Sequence, residues 1–250
     1  MPFTSDLTID EVLLVEEVGF EPVELVMGSS YFHIGWQQSS SLMWTGNMEL
    51  GDIGRMMDHA RRVAIGRMTQ EAHQCGADGV VGVRLEVERE GHNAEFTVLG
   101  TAVKRRQGDG ANWRQRSGAP FTCDLSGADF WALVRAGFKP VCFSFGVCVY
   151  HVAYQTLGQW FSSVGRNTEM PQYTQALYDA RELALGRMQY DAINAGASAG
   201  LVAVNVEESS HGWDSHILEM IALGTGVAPI LDAAHETHDD ARVVIGAQDF

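Results

Sequence analysis

One pattern of residues occurs twice in this chain. The segment Ala60–Met68, Ala-Arg-Arg-Val-Ala-Ile-Gly-Arg-Met, returns as Ala180–Met188, Ala-Arg-Glu-Leu-Ala-Leu-Gly-Arg-Met. Each is followed by a glycine-rich segment, Gly76–Val83 and Gly196–Val204. Apolar residues three and four positions apart predict a long helix, and the glycine after it predicts the helix end before a buried strand. We therefore predict a tandem duplication of one α+β unit.

The duplication extends over most of the chain. Pro2–Thr8 matches Pro120–Ser126 at an offset of 118 residues, and Leu99–Thr101 matches Leu223–Thr225 at an offset of 124. Insertions are tolerated in loops, so these changes of offset indicate the element boundaries. We predict a first repeat at residues 2–106, a linker at 107–119, a second repeat at 120–231 and an acidic tail at 232–250.

Each repeat is predicted to contain a short helix, a strand, a long helix and a β-hairpin. Thr8 and Ser126 begin capping-box patterns. Gly28 and Gly146 interrupt the first strand of each repeat, which indicates a bulge or a bend. Gly66 and Gly186 lie inside the long helices, where glycine costs about 1 kcal/mol relative to alanine. Close packing against another backbone would explain them, and so would inheritance from a duplicated ancestor.

The charge of the chain argues against several classes of partner. Thirty-two acidic residues against 17 basic ones give a formal net charge of −15, and such a surface repels nucleic acids and anionic membranes. No apolar run approaches the roughly 20 residues that cross a bilayer. Four cysteines in 250 residues do not form a disulfide framework, and no signal peptide is visible at the start. We expect a reduced, cytoplasmic protein.

The candidate metal ligands are His33, His151 and Cys148. The two histidines are the only ones at matching positions of both repeats, and imidazoles arranged around a symmetry axis would suit Zn, Ni or Cu. On a regular strand Cys142 and Cys148 share one face and His151 lies on the other. Only a bulge near Gly146 would bring all three together, so ordinary strand-end histidines and buried free cysteines are the alternative.

Other polar positions recur in both repeats. Arg61 and Arg67 correspond to Arg181 and Arg187, and we expect ion pairs from them, including pairs across subunits. Asn47 and Glu49 precede the first long helix, and capping together with interaction with the helix dipole is the simplest role for them. The sequence contains none of the common catalytic motifs, so we predict no enzymatic activity.

The glycine-rich segment Gly76–Val83, followed by Leu99–Arg105, resembles the YbjQ-like (UPF0145) family, whose members are described as heavy-metal-binding domains. The second repeat resembles it more loosely. The resemblance implies a dodecin-like α+β unit that closes into pentameric rings. With two units per chain, five chains would then form two stacked rings joined by the linkers.

Three functions are consistent with this reading. The first is a non-enzymatic, ring-forming homo-oligomer that binds a heavy metal or a small ligand. The second is a purely structural scaffold without a metal, and the third is an uncharacterised enzyme with a site between subunits.

Overall fold

A computed structural model of the chain describes residues 4–33, 46–90, 93–152, 171–210 and 217–230, without the side chains of residues 89, 90, 209 and 210. The predicted acidic tail at 232–250 lies outside these residues. The elements of the first repeat are α1 (Ile9–Glu17), β1 (Phe20–His33), β2 (Met48–Glu49), α2 (Gly51–Gln74), β3 (Gly79–Glu90) and β4 (Asn93–Arg105).

A short 3-10 helix (Gly110–Trp113) separates the repeats. The elements of the second repeat are β5 (Phe121–Thr122), α3 (Gly127–Arg135), β6 (Phe138–His151), α4 (Pro171–Ala195), β7 (Gly200–Ser210) and β8 (Ile217–Pro229). Short helix, strand, long helix and hairpin follow one another in the same order twice, which confirms the predicted duplication of an α+β unit.

The strands form two four-stranded sheets, ordered β1-β4-β3-β5 and β2-β6-β8-β7. Each repeat builds three antiparallel strands of its own sheet and receives the fourth from the other repeat. β5 runs parallel to β3, with Phe121 opposite Gly79, and β2 runs antiparallel to β6, with Met48 opposite His151. The two repeats therefore lie side by side and exchange edge strands.

Strand irregularities occupy matching positions in the two sheets. The β1–β4 register shifts between Pro22 and Glu24, and the β6–β8 register shifts between Pro140 and Cys142. The hairpins also bulge alike, at Gly82 with φ 70° and at Ala203 with φ 53°. Residues of the two repeats can therefore be compared position by position.

Local signals in the sequence explain the ends of the short helix. The Thr8 hydroxyl accepts a hydrogen bond from the Glu11 backbone N–H at 3.3 Å, and the Thr8 N–H donates to the Glu11 carboxylate at 2.9 Å. These bonds satisfy N–H groups that a helix start leaves free. Gly19 follows the helix with φ 86°, a conformation that costs glycine little. The predicted capping box is confirmed.

The prediction of a bulge at Gly28 and Gly146 is wrong. Pairing continues through both residues, with Gly28 opposite Val98 and Gly146 opposite Ala222. A Cβ at Gly28 would instead collide with the Ala64 carbonyl oxygen of α2, and one at Gly146 would collide with the equivalent backbone of α4. The glycines let each long helix lie directly on its strand.

The mid-helix glycines have no such neighbour. A Cβ added at Gly66 or at Gly186 would meet no heavy atom within 4 Å among the described residues, their own helix apart. Close packing of these two glycines is therefore not found within the described part of a single chain.

The segment between the repeats is docked on both of them. Trp113 is buried, and its ring packs edge-on against Phe20 with centroids 4.8 Å apart. Buried Asp78 holds the segment through an ion pair with Arg114 at 3.1 Å and accepts a hydrogen bond from the Arg105 backbone at 3.0 Å. The aspartate of the first glycine-rich segment therefore anchors the linker.

Candidate functional site

The three predicted metal ligands do not converge in one chain. His33 is exposed at the end of β1, and its Nδ1 lies 2.9 Å from the Asn93 amide oxygen. His151 is buried at the end of β6, where it pairs with Met48 of β2. Cys148 is three residues earlier on β6 and joins the apolar cluster beneath α4. Because β6 pairs regularly through Gly146, no bulge brings Cys142, Cys148 and His151 together.

The thiols on β6 are poor metal ligands in this environment. Burial raises the pKa of Cys148 to about 12, and burial also raises the pKa of Cys142 above its ordinary value. Metals bind the thiolate, which a raised pKa disfavours. Cys142 Sγ lies 3.1 Å from the Ser144 hydroxyl, so both cysteines behave as small buried residues with free thiols.

The described residues do not form a metal centre within one chain. Across the described ranges, no three His, Cys, Asp or Glu side chains come close enough to hold an ion. A structural zinc site needs four ligands around the ion. We therefore derive no chemistry from a metal at these positions.

The most distinctive feature of the molecule is the junction between its two repeats. One face of β6 packs against α2 of the first repeat, and four apolar side chains of β6 enter the same core cluster as the helix. They are Phe143, Phe145, Val147 and Val149. The other face of β6 lies beneath α4. β6 is therefore covered by a helix on both faces.

A buried ion pair lies in this junction. Arg61 of α2 donates from Nη2 to Glu219 of β8 at 2.8 Å, and neither side chain is accessible to solvent. The Arg61 guanidinium also lies over the Phe96 ring, 5.0 Å from its centroid. The expected ion pair from this arginine is confirmed, and it joins the two repeats.

The residues before α2 also join the repeats rather than cap the helix. Asn47 donates from Nδ2 to the Gln172 carbonyl at 2.8 Å, and Glu49 pairs with Arg187. The cap position of α2 is Leu50, which makes no side-chain capping bond. The predicted capping by Asn47 and Glu49 is therefore wrong, and their interaction with the helix dipole stays a prediction.

The positions of β1 that correspond to the α2-covered face of β6 are uncovered on the outer side of the first repeat. Met27 and Tyr31 of β1 are 55% and 62% exposed, whereas their counterparts Phe145 and Val149 on β6 are 2% and 0% exposed. His33 is likewise exposed where His151 is buried. The described chain provides no second helix to cover this face of β1.

The complementary positions are uncovered at the far end of the second repeat. Arg181 of α4 is exposed where Arg61 is buried. Tyr178 of α4 is 57% exposed. Glu219, the ion-pair partner of Arg61, corresponds to Glu95 of β4, which is only half-buried. The outer face of β1 and the exposed face of α4 are thus the counterparts of the two surfaces that meet where α2 packs on β6 inside the chain.

An open strand edge accompanies these faces. In the first repeat the edge of β3 is covered by the start of the second, because the Val83 N–H donates to the Cys123 carbonyl and the Gly82 N–H to the Leu125 carbonyl. Val83 is consequently buried, but its counterpart Val204 on β7 is 46% exposed. An uncovered edge is a template for pairing with another chain.

Sequence reasoning missed the exposed face of β1 and the role of Glu95 and Glu219. A signal was present, because a glutamate recurs at the same position of both hairpins among apolar residues. What the pattern cannot show is that one copy is buried beside an arginine and the other is not.

Comparison with known proteins finds one family twice in the chain. A family model described as "putative heavy-metal-binding", YbjQ, matches residues 23–106 and 147–229. An encapsulin nanocompartment protein of Mycobacterium tuberculosis is 44% identical over 228 residues, which is 90% of this chain and 85% of that protein.

Single-repeat relatives match as well. A UPF0145 protein of Methanococcus maripaludis is 39% identical over 117 residues, 46% of this chain and 100% of its own length. A UPF0145 protein of Halalkalibacterium halodurans is 40% identical over 73 residues, 29% of this chain and 69% of its own. In the described ranges, none of the helices is long and apolar enough to cross a membrane.

Proposed function

The chain belongs to the YbjQ family, and we propose that it is a non-enzymatic, self-assembling protein whose copies join head to tail into a closed ring. One observation carries the proposal: Met27 and Tyr31 are exposed on β1, while Phe145 and Val149 at the same positions of β6 are buried beneath a helix. Burial of apolar surface is the main favourable term in association. The missing cover is a helix like α2, and α4 corresponds to it.

The contact that we propose repeats the junction inside the chain. Helix α4 of one copy would lie on the outer face of β1 of the next, and Thr4–Leu7 of that next copy would run along the edge of β7. Two different surfaces meet in such a contact, so it is heterologous and either closes into a ring or grows into a filament. We propose that it closes into a ring, and a filament would appear as particles without a defined mass.

The junction between copies would be weaker than the one inside the chain. Within the chain, Arg62 pairs with Asp191 at 2.7 Å, but the corresponding residues between copies are Glu182 and Glu71. Like charges at a contact oppose association. The apolar face and the Arg181–Glu95 pair would therefore provide the attraction between copies.

The side-by-side junction also bears on the arrangement of the ring. If the contact between copies has the geometry of the junction inside the chain, both repeats of every chain lie in one ring, where first and second repeats alternate. Two stacked rings from five chains, as the resemblance implies, would instead place the repeats of one chain in different rings. We propose the alternating ring. Images of the assembled particle distinguish the two arrangements.

The 44% identical relative is named as an encapsulin nanocompartment protein. We propose that the ring formed by this chain is likewise part of an encapsulin nanocompartment. The described cysteines are free, and three of them are buried, which suits the reducing cytoplasm that we propose as its location.

Metal binding through His33, His151 and Cys148 is the competing proposal, and it rests on the family description. Purified protein would then contain stoichiometric Zn, Ni or Cu, and His33→Ala combined with His151→Ala would abolish it. A purely structural ring assembles normally and takes up no metal.

The first test is a native mass measurement combined with changes to β1. Wild-type protein should show a defined multiple of the 27.4 kDa chain mass. Met27→Asp with Tyr31→Asp should give folded monomers, because the two new charges would have to be buried beneath α4. Ala111→Asp with Ser117→Asp adds the same charge at exposed linker positions and should assemble normally. Wild-type protein that stays monomeric at all concentrations refutes the proposal.

A further inference from the structure

An open recess lies at the edge of the second sheet, where β7 begins. At the corresponding edge of the first sheet, β5 pairs with β3 so that Phe121 lies opposite Gly79, and a Cβ on Gly79 would lie 2.1 Å from the Phe121 ring. Gly200 is the counterpart of Gly79, because each pairs with a valine near the end of the neighbouring strand. A Cβ on Gly200 would meet no heavy atom of the described residues within 4 Å. The place that Phe121 fills on β3 is therefore open on β7.

The apolar residues around this recess are also less covered than their counterparts. Phe20 packs edge-on against Phe121 with ring centroids 5.9 Å apart and is completely buried, but its counterpart Phe138 at the start of β6 is only half-buried. Val81 belongs to the same cluster as Phe121 and is completely buried, whereas its counterpart Val202 on β7 is half-buried. The described chain therefore leaves the apolar lining of the recess partly open to solvent.

The strand edge beside the recess has the form that binds an extended segment in the first repeat. There, the bulge of β3 donates two backbone N–H groups to the segment that follows β5. The bulge of β7 has a similar backbone, because Ala203 has a φ of 53° where Gly82 has 70°. Within the described residues, no backbone carbonyl outside the sheet accepts from Ala203 or Val204. A positive φ is uncommon for alanine, and such residues are concentrated where a contact requires their geometry.

The segment that matches this edge is the N-terminal arm of the chain, residues 2–7. Its sequence Pro-Phe-Thr-Ser-Asp-Leu differs at one position from Pro-Phe-Thr-Cys-Asp-Leu at residues 120–125, and Phe3 is the counterpart of Phe121. Phe3 lies just outside the described residues, so its match with Phe121 rests on the sequence. The chain therefore carries a second copy of the segment that covers β3, and the edge of β7 is the second copy of the edge that is covered.

The described part of the N-terminal arm already has the conformation of its counterpart. The Asp6 N–H donates to the Thr101 hydroxyl at 3.1 Å, and the Asp124 N–H donates to the Thr225 hydroxyl at 3.1 Å. The segment around Asp124 makes this bond while it covers the edge of β3. The bond at Asp6 thus holds the arm in the form that covers an edge, and such preorganisation lowers the free-energy cost of binding.

From these observations we propose that the start of β7 is a binding site for the N-terminal arm of a second copy, with Phe3 as the anchor over Gly200. The proposal rests on the head-to-tail contact proposed above, and it identifies the side chain that fills the recess. Interfaces owe most of their binding free energy to a few buried anchors, of which aromatic residues are typical. Backbone hydrogen bonds to the strand edge would add to the affinity, as in other complexes in which a segment joins a sheet.

Disulfide trapping tests the position of the arm. Inside the chain Thr122 lies opposite Val80, so Thr4 of one copy should lie opposite Leu201 of another. Thr4→Cys with Leu201→Cys should therefore give chains that are covalently linked to one another after oxidation with diamide. Electrophoresis without reducing agent measures the linked fraction.

A second cysteine pair is the matched control. Thr4→Cys with Glu208→Cys places the second thiol at an exposed position further along β7 and should leave the chains unlinked. Both pairs are made with Cys75→Ala, which removes the half-buried native thiol. Assembled protein in which the first pair does not link, or links no more than the control, overturns the proposed arm site and leaves the head-to-tail ring in place. Wild-type protein that stays monomeric overturns both.

Phe3→Ala tests the anchor. Sedimentation velocity should show that the dissociation constant of one contact rises roughly ten- to a hundredfold, because the variant no longer buries a phenylalanine side chain. In chains kept apart by Met27→Asp with Tyr31→Asp, the same change should leave the midpoint of chemical denaturation unchanged, because the recess that Phe3 fills belongs to another copy. Unchanged assembly of the Phe3→Ala protein, or a lowered midpoint in the separated chains, would overturn the assignment of Phe3 as the anchor.

Discussion

Reversing the charge of Arg181 should separate the assembly into single chains. In the proposed head-to-tail contact this residue would take the place of Arg61, whose ion pair with Glu219 at 2.8 Å is completely buried. Arg181 would meet Glu95 of the next copy in the same way. In a single chain Arg181 is exposed, so Arg181→Glu should leave the folding of the chain intact while it opposes the contact between copies.

The expected magnitude follows from the internal pair. Removal of one partner from a buried ion pair costs about 3–5 kcal/mol, and each 1.4 kcal/mol changes an equilibrium about tenfold. The dissociation constant of one contact should therefore rise by roughly two to three and a half orders of magnitude. A ring whose contacts then dissociate in the range above the protein concentration would become monomeric.

Sedimentation velocity over a range of concentrations measures this change. Arg55→Glu makes the same charge reversal at an exposed residue of α2 and should assemble like the wild type. Combining Arg181→Glu with Glu95→Arg restores opposite charges and should recover much of the assembly. If Arg181→Glu assembles as well as the control, or if the double variant recovers nothing, the proposed contact is wrong.

Three further predictions concern the single chain. Gly28→Ala should destabilise the fold by about 2–4 kcal/mol in chemical denaturation, because its Cβ would collide with the α2 backbone. Gly66→Ala should instead stabilise the fold by up to about 1 kcal/mol. Similar effects of the two changes would contradict the close approach of α2 to Gly28. In native protein, half-buried Cys75 should react with iodoacetamide before buried Cys123, Cys142 and Cys148. Mass spectrometry measures the order of labelling. Early labelling of Cys148 would show that α4 does not cover this face of β6. Burial raises the folded-state pKa of the Asp124 carboxyl above its unfolded value of 3.8. The stabilising contribution of the protonated carboxyl is therefore present below about pH 4 and is lost as the pH rises through the folded-state pKa. Asp124→Asn should remove that part of the pH dependence in denaturation measured from pH 3 to 7, and an unchanged profile would exclude this carboxyl as its source.

The sequence alone determined the repeat unit and its elements. Helix periodicity, the capping box at Thr8 and the glycine at position 19 act within a few residues of the chain, so their outcome can be predicted locally. The same reasoning placed Cys142 and Cys148 on one face of β6 and His151 on the other, because side chains alternate along a strand.

Only the tertiary structure decided what each repeated position contacts. Gly28 and Gly66 are both glycines inside regular elements, yet a helix backbone lies against the first and nothing lies against the second within the described chain. Arg61 and Arg181 have similar local sequences, but one is buried beside Glu219 and the other is exposed. Burial and ion pairing depend on partners that are distant in the sequence, such as Ala64 for Gly28 and Glu219 for Arg61, and the local pattern of residues does not show which distant segments come together.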